Sequence, residues 1–511
     1  MPGRPVTARP RRAPVRPTWL RHGRRADHAL FRRLTSRPAP AADAVLYPLS
    51  RAADHSKLWV GCAAVLALSG DRFARRAATR GLLAIGLTSA VTNALIKPLF
   101  RRVRPTSEPA PWLVRTARMP GSTSFPSGHA ASAAAFAVGA GMELPAVAAP
   151  LGLLAAAVGA SRVRTRVHYP ADVVAGAAVG AAIALGTRRL WAVAPHHPAE
   201  VRPVLTRLER RPGSDGSGLT VVVNPSAGSS AAGETAAAVR DALPGARILE
   251  VGPALDLGDA LDQAQTARAI GIVGGDGSIN AAAERALRAG VPLAVFPGGT
   301  LNHFARDVGL SDMAETVAAV RAGELVSVDV GMIDGRPFLN TASFGSYAEL
   351  VDAREELEPS YGKWGAMVVA AFRLLRSAKP IRVEMDGRPA DVWMIFIGNC
   401  EYEPAGLAPG WRARLDDGKF DVRYVAGDQP GSRTRLVLAL VTGQLARSPT
   451  YRRLVVDRLA VRSQDGPLRL ARDGETFDGS TGVLVTKHPE PLAVFAPWSD
   501  AETAEPGPAG R

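Results

Sequence analysis

At 511 residues, 47% of them apolar, the chain can build more than one core, since single cores rarely grow past roughly 250–300 residues. Its cysteines, Cys62 and Cys400, are too few and too far apart for a disulfide framework or a paired-cysteine metal site. The net charge of +15 does not point to nucleic acid, because it is uneven and no reading module or interleaved aromatics accompany it.

Arg4–Arg37 is crowded with arginine and proline and has Asp27 as its only acid. This composition predicts a disordered basic arm over residues 1–40, solvated or drawn to anionic lipid headgroups. No apolar core follows the arginines closely, so the start does not read as a secretory signal. Five apolar blocks follow: Leu58–Ser69, Gly81–Ile96, Ala130–Met142, Leu144–Ala160 and Val173–Leu185. They are rich in Ala, Val, Leu and Gly, and the charges lie between them, as in membrane proteins. Each is shorter than the ~20 residues of a straight span. Residues 41–192 are therefore expected to form an all-α membrane bundle.

Residues 193–218 turn to Pro, Arg, Gly and Ser, the chemistry of a linker. From 219 to 326 the pattern is strand, glycine turn, helix, seen at Leu219–Val223, Ala269–Val273 and Pro292–Phe296. It predicts an α/β lobe with a parallel sheet and a ligand at the strand ends. From 327 to 497, segments such as Ile381–Met385, Asp391–Ile397, Phe420–Val425 and Leu454–Val461 read as a β-rich lobe. One helical stretch near Lys363–Ala378 interrupts it, and 498–511 reads as a disordered tail.

Three motifs stand out in the apolar half. They are Lys97-Pro-Leu-Phe-Arg-Arg-Val-Arg104-Pro105, Pro126-Ser127-Gly128-His129, and Ser161-Arg162 with His168 and Asp172 behind it. Lys97, Arg104 and Arg162 supply the cations a phosphate dianion needs. Ser127 and Gly128 precede a helix whose free N–H groups can bind an anion. Of the two histidines, one can attack phosphorus and the other can protonate the leaving alkoxide. Asp172 is about one helical turn from His168 and can hold its tautomer. Taken singly, each motif has an ordinary explanation, such as a basic loop at a membrane edge or a helix-start carboxylate.

Together, in order and at these spacings, they resemble the type 2 phosphatidic acid phosphatase family, shared with vanadium-dependent haloperoxidases. The resemblance covers roughly Leu58–Leu190 and implies a metal-independent phosphatase. By position it implies His168 as the nucleophile, Asp172 as its orienting partner and His129 as the leaving-group acid. Lys97, Arg104, Ser127, Gly128 and Arg162 would hold the phosphate.

In the second half, Asn224-Pro225-Ser226-Ala227-Gly228, Gly274-Gly275-Asp276-Gly277-Ser278-Ile279-Asn280 and Pro297-Gly-Gly-Thr300 each follow a strand and precede a helix. Such turns bring backbone amides to phosphate oxygens. No Walker-type lysine loop is present. These segments resemble the diacylglycerol kinase catalytic domain, related in fold to NAD kinases, over about Leu219–Pro497. The resemblance implies ATP as phosphoryl donor, Mg²⁺, and nucleotide binding by 224–228, 274–280 and Thr300. Within Asp473-Gly474-Glu475 it implies Glu475 as catalytic base, with Asp473 close behind. It also implies a structural Mg²⁺ held by the Asp417 carboxylate and the carbonyls of Arg414 and Lys419. His303 and Ala281 depart from the family pattern, which usually has aspartate and glutamate there.

The expectation is a bifunctional lipid phosphatase and lipid kinase in the cell membrane, its kinase cytoplasmic. Its partners would be membrane lipids and ATP, with no nucleic acid, and the kinase part leaves room for a homodimer. The rival readings are a haloperoxidase or a non-enzymatic lipid-binding protein for the first half, and a soluble-substrate kinase for the second.

Overall fold

The computed structural model describes residues 18–100, 102–105, 123–204, 211–225, 231–299, 302–377, 379–404, 410–428, 431–442 and 444–498. Two compact units emerge, Met1–Ala194 and Pro195–Arg511.

The first unit is helical. Its elements are α1 (Thr18–Thr35), α2 (Pro40–Ala52), α3 (Lys57–Leu68), α4 (Arg72–Val91), a π-helical turn (Thr92–Ile96), α5 (Lys97–Leu99), α6 (Gly128–Glu143), α7 (Ala148–Arg164) and α8 (Pro170–Gly186). All five expected apolar blocks are helical. Three helical segments, Arg72–Leu99, Pro145–Arg164 and Pro170–Arg189, are long and apolar enough to cross a membrane. The alanine-rich α6 lies at the centre, against α4, α7 and α8. Its Ala131, Ala133, Ala135 and Phe136 are fully buried. α8 approaches so closely that a side-chain carbon at Gly176 or Gly180 would strike the carbonyls of Ser127 and Ala131. Small residues permit this backbone contact where apolar surroundings supply little other driving force.

Arg80 and Glu143 form a buried ion pair inside this bundle. Arg80 is fully buried, and its Nε lies 2.6 Å from Glu143 Oε1. The rest of its guanidinium donates to Thr187 Oγ1 (3.1 Å) and to the carbonyls of Trp191 (2.8 Å) and Ala192 (2.9 Å). Removing one partner of such a pair costs about 3–5 kcal/mol, because the other charge stays buried.

The basic arm departs from expectation. Residues 18–35 form α1, which carries Asp27, Phe31 and Thr35 at four-residue spacing, with Phe31 and Thr35 buried. The rings of His28 and Phe31 meet Tyr169 at centroid distances of 4.5 and 5.2 Å. Net charge predicted disorder, but one helical face carries enough contact surface to dock.

The second unit holds two sheets. The first contains β1 (Arg202–Pro203), β2 (Leu219–Val223), β3 (Arg247–Glu250), β4 (Ala269–Gly274), β5 (Leu293–Pro297), β6 (Leu325–Val328) and the strand Leu492–Phe495. Across the sheet the order is β1, β6, Leu492–Phe495, β5, β4, β2, β3. Pairing is parallel from β3 to Leu492–Phe495 and antiparallel at β6 and β1. β2, β4 and β5 are fully buried apolar runs, as a sheet covered on both faces requires. The expected linker thus contributes a strand, β1, and Ala199 is buried beside it.

The second sheet is antiparallel and spans 331–487. The expected strand Leu454–Val461 is two strands, Tyr451–Val456 and Leu459–Ser463, which pair with different neighbours. The helical stretch begins earlier than expected, at Ser346, and runs to Ser377 with a break at Gly362 (φ 64°). The hairpin Arg469–Arg472 and Glu475–Asp478 pairs with Thr341–Gly345 at one end of this sheet.

Candidate active sites

In the helical unit, the three motifs converge. The π-helical turn leads directly into Lys97, whose Nζ lies 3.6 Å from the point where a β-carbon on Gly128 would sit. A ladder on the same helix holds it there: Asn93 Oδ1 accepts from Lys97 Nζ at 2.9 Å, and Asn93 Nδ2 donates to Ser89 Oγ at 3.2 Å. Ser127 caps α6 and is fully buried, and the Lys97 ammonium stands close to Gly128 at this helix start. Helix start and ammonium both favour an anion.

Arg104 Nη1 lies 3.3 Å from His168 Nε2 and donates to the Val167 carbonyl at 3.1 Å. Arg162 donates to Ser50 Oγ at 2.7 Å, and its buried Nε has no partner among the described residues. A cavity of about 310 Å³ opens on the Lys97 and His129 side, lined by Thr88, Thr92, Asn93 and Gly128 among others. His168 itself is buried; that burial, with the Arg104 and Arg162 cations, lowers its pKa, while Asp172 works to raise it. A neutral imidazole beside guanidinium groups suits a nucleophile awaiting a phosphate.

Asp172 is more committed than expected. Its Oδ1 accepts from Arg102 at 2.8 Å, and its Oδ2 accepts from Ser124 Oγ (2.9 Å) and the Tyr169 amide (3.0 Å). His168 Nδ1 lies 3.7 Å from Oδ2, beyond hydrogen-bond reach. The sequence reading missed three groups. Arg102 bridges Asp172 to Asp27 of α1, at 2.8 and 2.5 Å. Asp54, from the turn before α3, lies 2.8 Å from His129 Nε2. Ser124 completes the cradle of Asp172. Only Arg102 had a signal, its place in the Arg-Arg-Val-Arg run.

In the second unit, the glycine turns close β2, β4 and β5, which are adjacent in space. Val223 stands opposite Val273, and Gly274 opposite Pro297, so the strand ends are level. Ser226, Ala227, Gly228 and Thr300 lie outside the described residues. Asn224 Nδ2 donates to Ser278 Oγ at 2.9 Å and ties the first turn to the second. The Gly298 amide donates to the Gly274 carbonyl at 3.1 Å and ties the second to the third. Asp276 Oδ1 accepts the Phe304 amide at 3.2 Å, so this carboxylate braces the start of the helix His303–Asp307. His303 is exposed beside it. Gly275 and Gly277 flank Asp276 at the start of the helix Asp276–Ala289; Ile279 and Asn280 are buried in it, and Pro225 is exposed.

The Asp473-Gly474 turn separates the two expected bases. Asp473 (φ 45°) accepts the amides of Leu339 (2.8 Å), Asn340 (2.9 Å) and Thr341 (2.9 Å). Burial pushes its pKa up against these three amides. It braces the 339–341 segment. Glu475 is exposed, and its Oε1 lies 3.2 Å from the place a β-carbon on Gly277 would occupy. The second sheet therefore delivers this carboxylate to a glycine turn of the first.

The expected metal residues all have protein partners. Asp417 Oδ1 accepts the Lys419 amide (2.7 Å) and Oδ2 the Glu401 amide (2.9 Å). The Lys419 carbonyl accepts from the Cys400 amide at 3.0 Å. Arg414 sends its guanidinium to Asp416 and Glu200. Asp329, Cys400 and Asp417 do cluster. The Lys487 ammonium stands among them, 3.3 Å from Asp329 and 2.7 Å from Asn399 Oδ1. Burial pushes the Cys400 thiol up to about 12, so it stays protonated. An internal cation on Asp329, with Asp417's oxygens taken by amides, is a poor setting for a divalent ion.

Three family models match: the PAP2 superfamily over 77–194, the diacylglycerol kinase catalytic domain over 218–333, and the YegS C-terminal NAD kinase beta sandwich-like domain over 345–496. A diacylglycerol kinase of Bacillus subtilis is 31% identical over 161 residues, 29% of this chain and 52% of that protein. A probable lipid kinase YegS-like protein of Pseudomonas fluorescens is 27% identical over 264 residues, 49% of this chain and 86% of that one. The chain spans about half the length of the first curated relatives it matches. The transmembrane PAP2 type phosphatidylglycerolphosphate phosphatase of Bacillus subtilis aligns with TM-score 0.27 and 23% identity, over 32% of this chain and 83% of that one. The chain is a fusion of a PAP2 superfamily domain with a diacylglycerol kinase catalytic domain and its β-sandwich partner.

Proposed function

We propose that the chain carries two phosphoryl-transfer activities on lipids, a metal-independent phosphatase and an ATP-dependent kinase. The observation that carries the first is Arg104 at 3.3 Å from His168 Nε2, with Lys97 held at the start of α6. A lipid phosphate would sit against Lys97, Arg104, Arg162 and the α6 amides. His168 Nε2 attacks phosphorus, and the lipid alkoxide leaves with a proton from His129. Water then attacks the phosphohistidine, giving one of its own protons to His129 as the P–N bond breaks and frees His168. Asp172, anchored by Arg102, Ser124 and Tyr169, offsets the positive charge that grows on the His168 ring.

In the kinase, ATP enters as its magnesium complex and lays its phosphates along the glycine turns after β2, β4 and β5. Glu475 accepts the proton of a lipid hydroxyl, diacylglycerol-like in class, as its oxygen attacks the γ-phosphorus. The three membrane-length helices support a place in the cell membrane, and the use of ATP supports a cytoplasmic kinase. The test is the protein in vesicles with γ-labelled ATP and diacylglycerol, and separately with a phosphate-labelled lipid phosphate. Label in lipid in the first assay and free phosphate in the second are expected. Absence of either in active preparations removes that half of the proposal.

A further inference from the structure

Asp54 belongs to none of the motifs and lies before residue 77, where the PAP2 superfamily match begins. It stands in the turn Asp54–Ser56, whose His55 and Ser56 take left-handed backbone angles (φ 54° and 60°). This turn brings Asp54 Oδ1 to 2.8 Å from His129 Nε2 and 3.7 Å from Arg162 Nη1.

Three groups of positive or ionisable character face His129 from other elements: Lys97 from α5, Arg162 from α7 and His168 from the loop after α7. His55 lines the same cavity. Burial, and after it the nearby cations, disfavour an imidazolium at His129, yet protonation of a leaving alkoxide requires one. Among the described residues, Asp54 is the carboxylate within hydrogen-bond distance of the ring.

We infer that Asp54 is a positioning residue for the leaving-group acid: it accepts Nε2–H of His129 and commits Nδ1–H to the departing oxygen. The inference rests on the phosphatase reading. In the first step the His168 Nε2–P bond forms, and the P–O bond to the lipid alcohol breaks with its electron pair on oxygen. That oxygen takes the Nδ1 proton. In the second step water loses a proton to His129 Nδ1 as it attacks phosphorus, and the P–N electron pair returns to His168. Asp54 keeps Nε2–H throughout and transfers nothing.

The experiment compares kcat/KM, which reports the first P–O cleavage, for an alkyl lipid phosphate and for p-nitrophenyl phosphate. The nitrophenolate leaves without a proton, so only the alkyl substrate needs the acid. Asp54→Asn is expected to lower kcat/KM by about 100-fold on the alkyl substrate and by less than about threefold on the nitrophenyl one. Its alkaline limb on the alkyl substrate should move to lower pH, and Asp54→Glu should restore most of the rate. The Asp54 side chain is 47% exposed, so the substitutions open no core. Equal losses on both substrates, which a structural role or a misfolded variant would give, overturn the inference. So does an unchanged or higher rate on the alkyl substrate. Wild-type protein inert toward both substrates takes down the phosphatase reading and the inference with it.

Discussion

Glu475 lies on a strand of the second sheet and Gly277 in the helix that follows β4 of the first, yet a single β-carbon on Gly277 would lie 3.2 Å from the Glu475 carboxylate. The hairpin of the second sheet and the helix start of the first therefore meet at one point, where a carboxylate faces amides suited to phosphate. Glu475→Gln keeps the shape and removes the proposed base. Lipid phosphorylation should fall by about 10²–10⁴-fold while KM for ATP changes little. Phosphate release from a lipid phosphate should be unaffected. Radiolabel transfer in vesicles, measured for both activities on one preparation, decides it.

His168→Ala removes the proposed nucleophile. Wild-type protein quenched during turnover of a labelled lipid phosphate should carry acid-labile, base-stable label on a histidine, and the variant none. Because burial and the Arg104 and Arg162 cations lower the His168 pKa, the attacking neutral ring persists below the ordinary histidine range. Labelling should fail only as pH drops through that lowered value. Rapid quench over pH 4–8, about the range in which histidine titrates, reads the limb directly. A limb above about 6.5 would contradict the burial argument.

Asp27 anchors α1 to the phosphatase motifs by accepting from Arg102 and from the Ala171 amide at 2.9 Å. Asp27→Ala frees one side of Arg102, which then holds Asp172 less firmly. Phosphatase kcat should drop about tenfold, in keeping with the loss of a supporting contact of about 1.4 kcal/mol. Protease should also cut between residues 18 and 35 sooner. If α1 stays protected and kcat is unchanged, the arm plays no part in the site.

Asp421 is fully buried between Arg423 and Arg453 on neighbouring strands. Burial pushes its pKa up, but the two guanidinium groups pull harder and leave it below the ordinary aspartate value. A carboxyl with a depressed folded pKa stabilises above its unfolded pKa, about 3.9, and loses that stability as pH falls through the folded value. Asp421→Asn should therefore cost about 3–5 kcal/mol at pH 7 and progressively less below about pH 4. Denaturant unfolding of the full chain in detergent, followed by the kinase rate and repeated from pH 3 to 7, a range spanning about that pKa, checks the sign.

What could be read in advance was local chemistry. Lys97, Arg104, His129 and His168 declared themselves through spacing, and the glycine turns through their place after apolar strands. The partners of those residues did not. Asp54 and Asp27 lie 75 and 144 positions from the groups they touch, His129 and Ala171, and nothing in the helical period links such positions. Charge counting hid α1, since docking depends on one face carrying Phe31 and Thr35, while composition averages over all faces. In sequence both carboxylates were candidate bases, Glu475 first and Asp473 close behind. A left-handed residue at 473 turns the first inward to three amides and leaves the second beside Gly277.

The fully enclosed guanidinium of Arg80 has a practical consequence for anyone dividing this protein. Its last two acceptors are the carbonyls of Trp191 and Ala192, which come after the final helix of the bundle. A fragment trimmed at the end of α8 would keep the Arg80–Glu143 pair but leave the outer guanidinium nitrogens of a buried arginine without their acceptors, and extending it by a few residues would avoid that. The workable cut point therefore lies past Ala192, several residues later than hydropathy alone would choose.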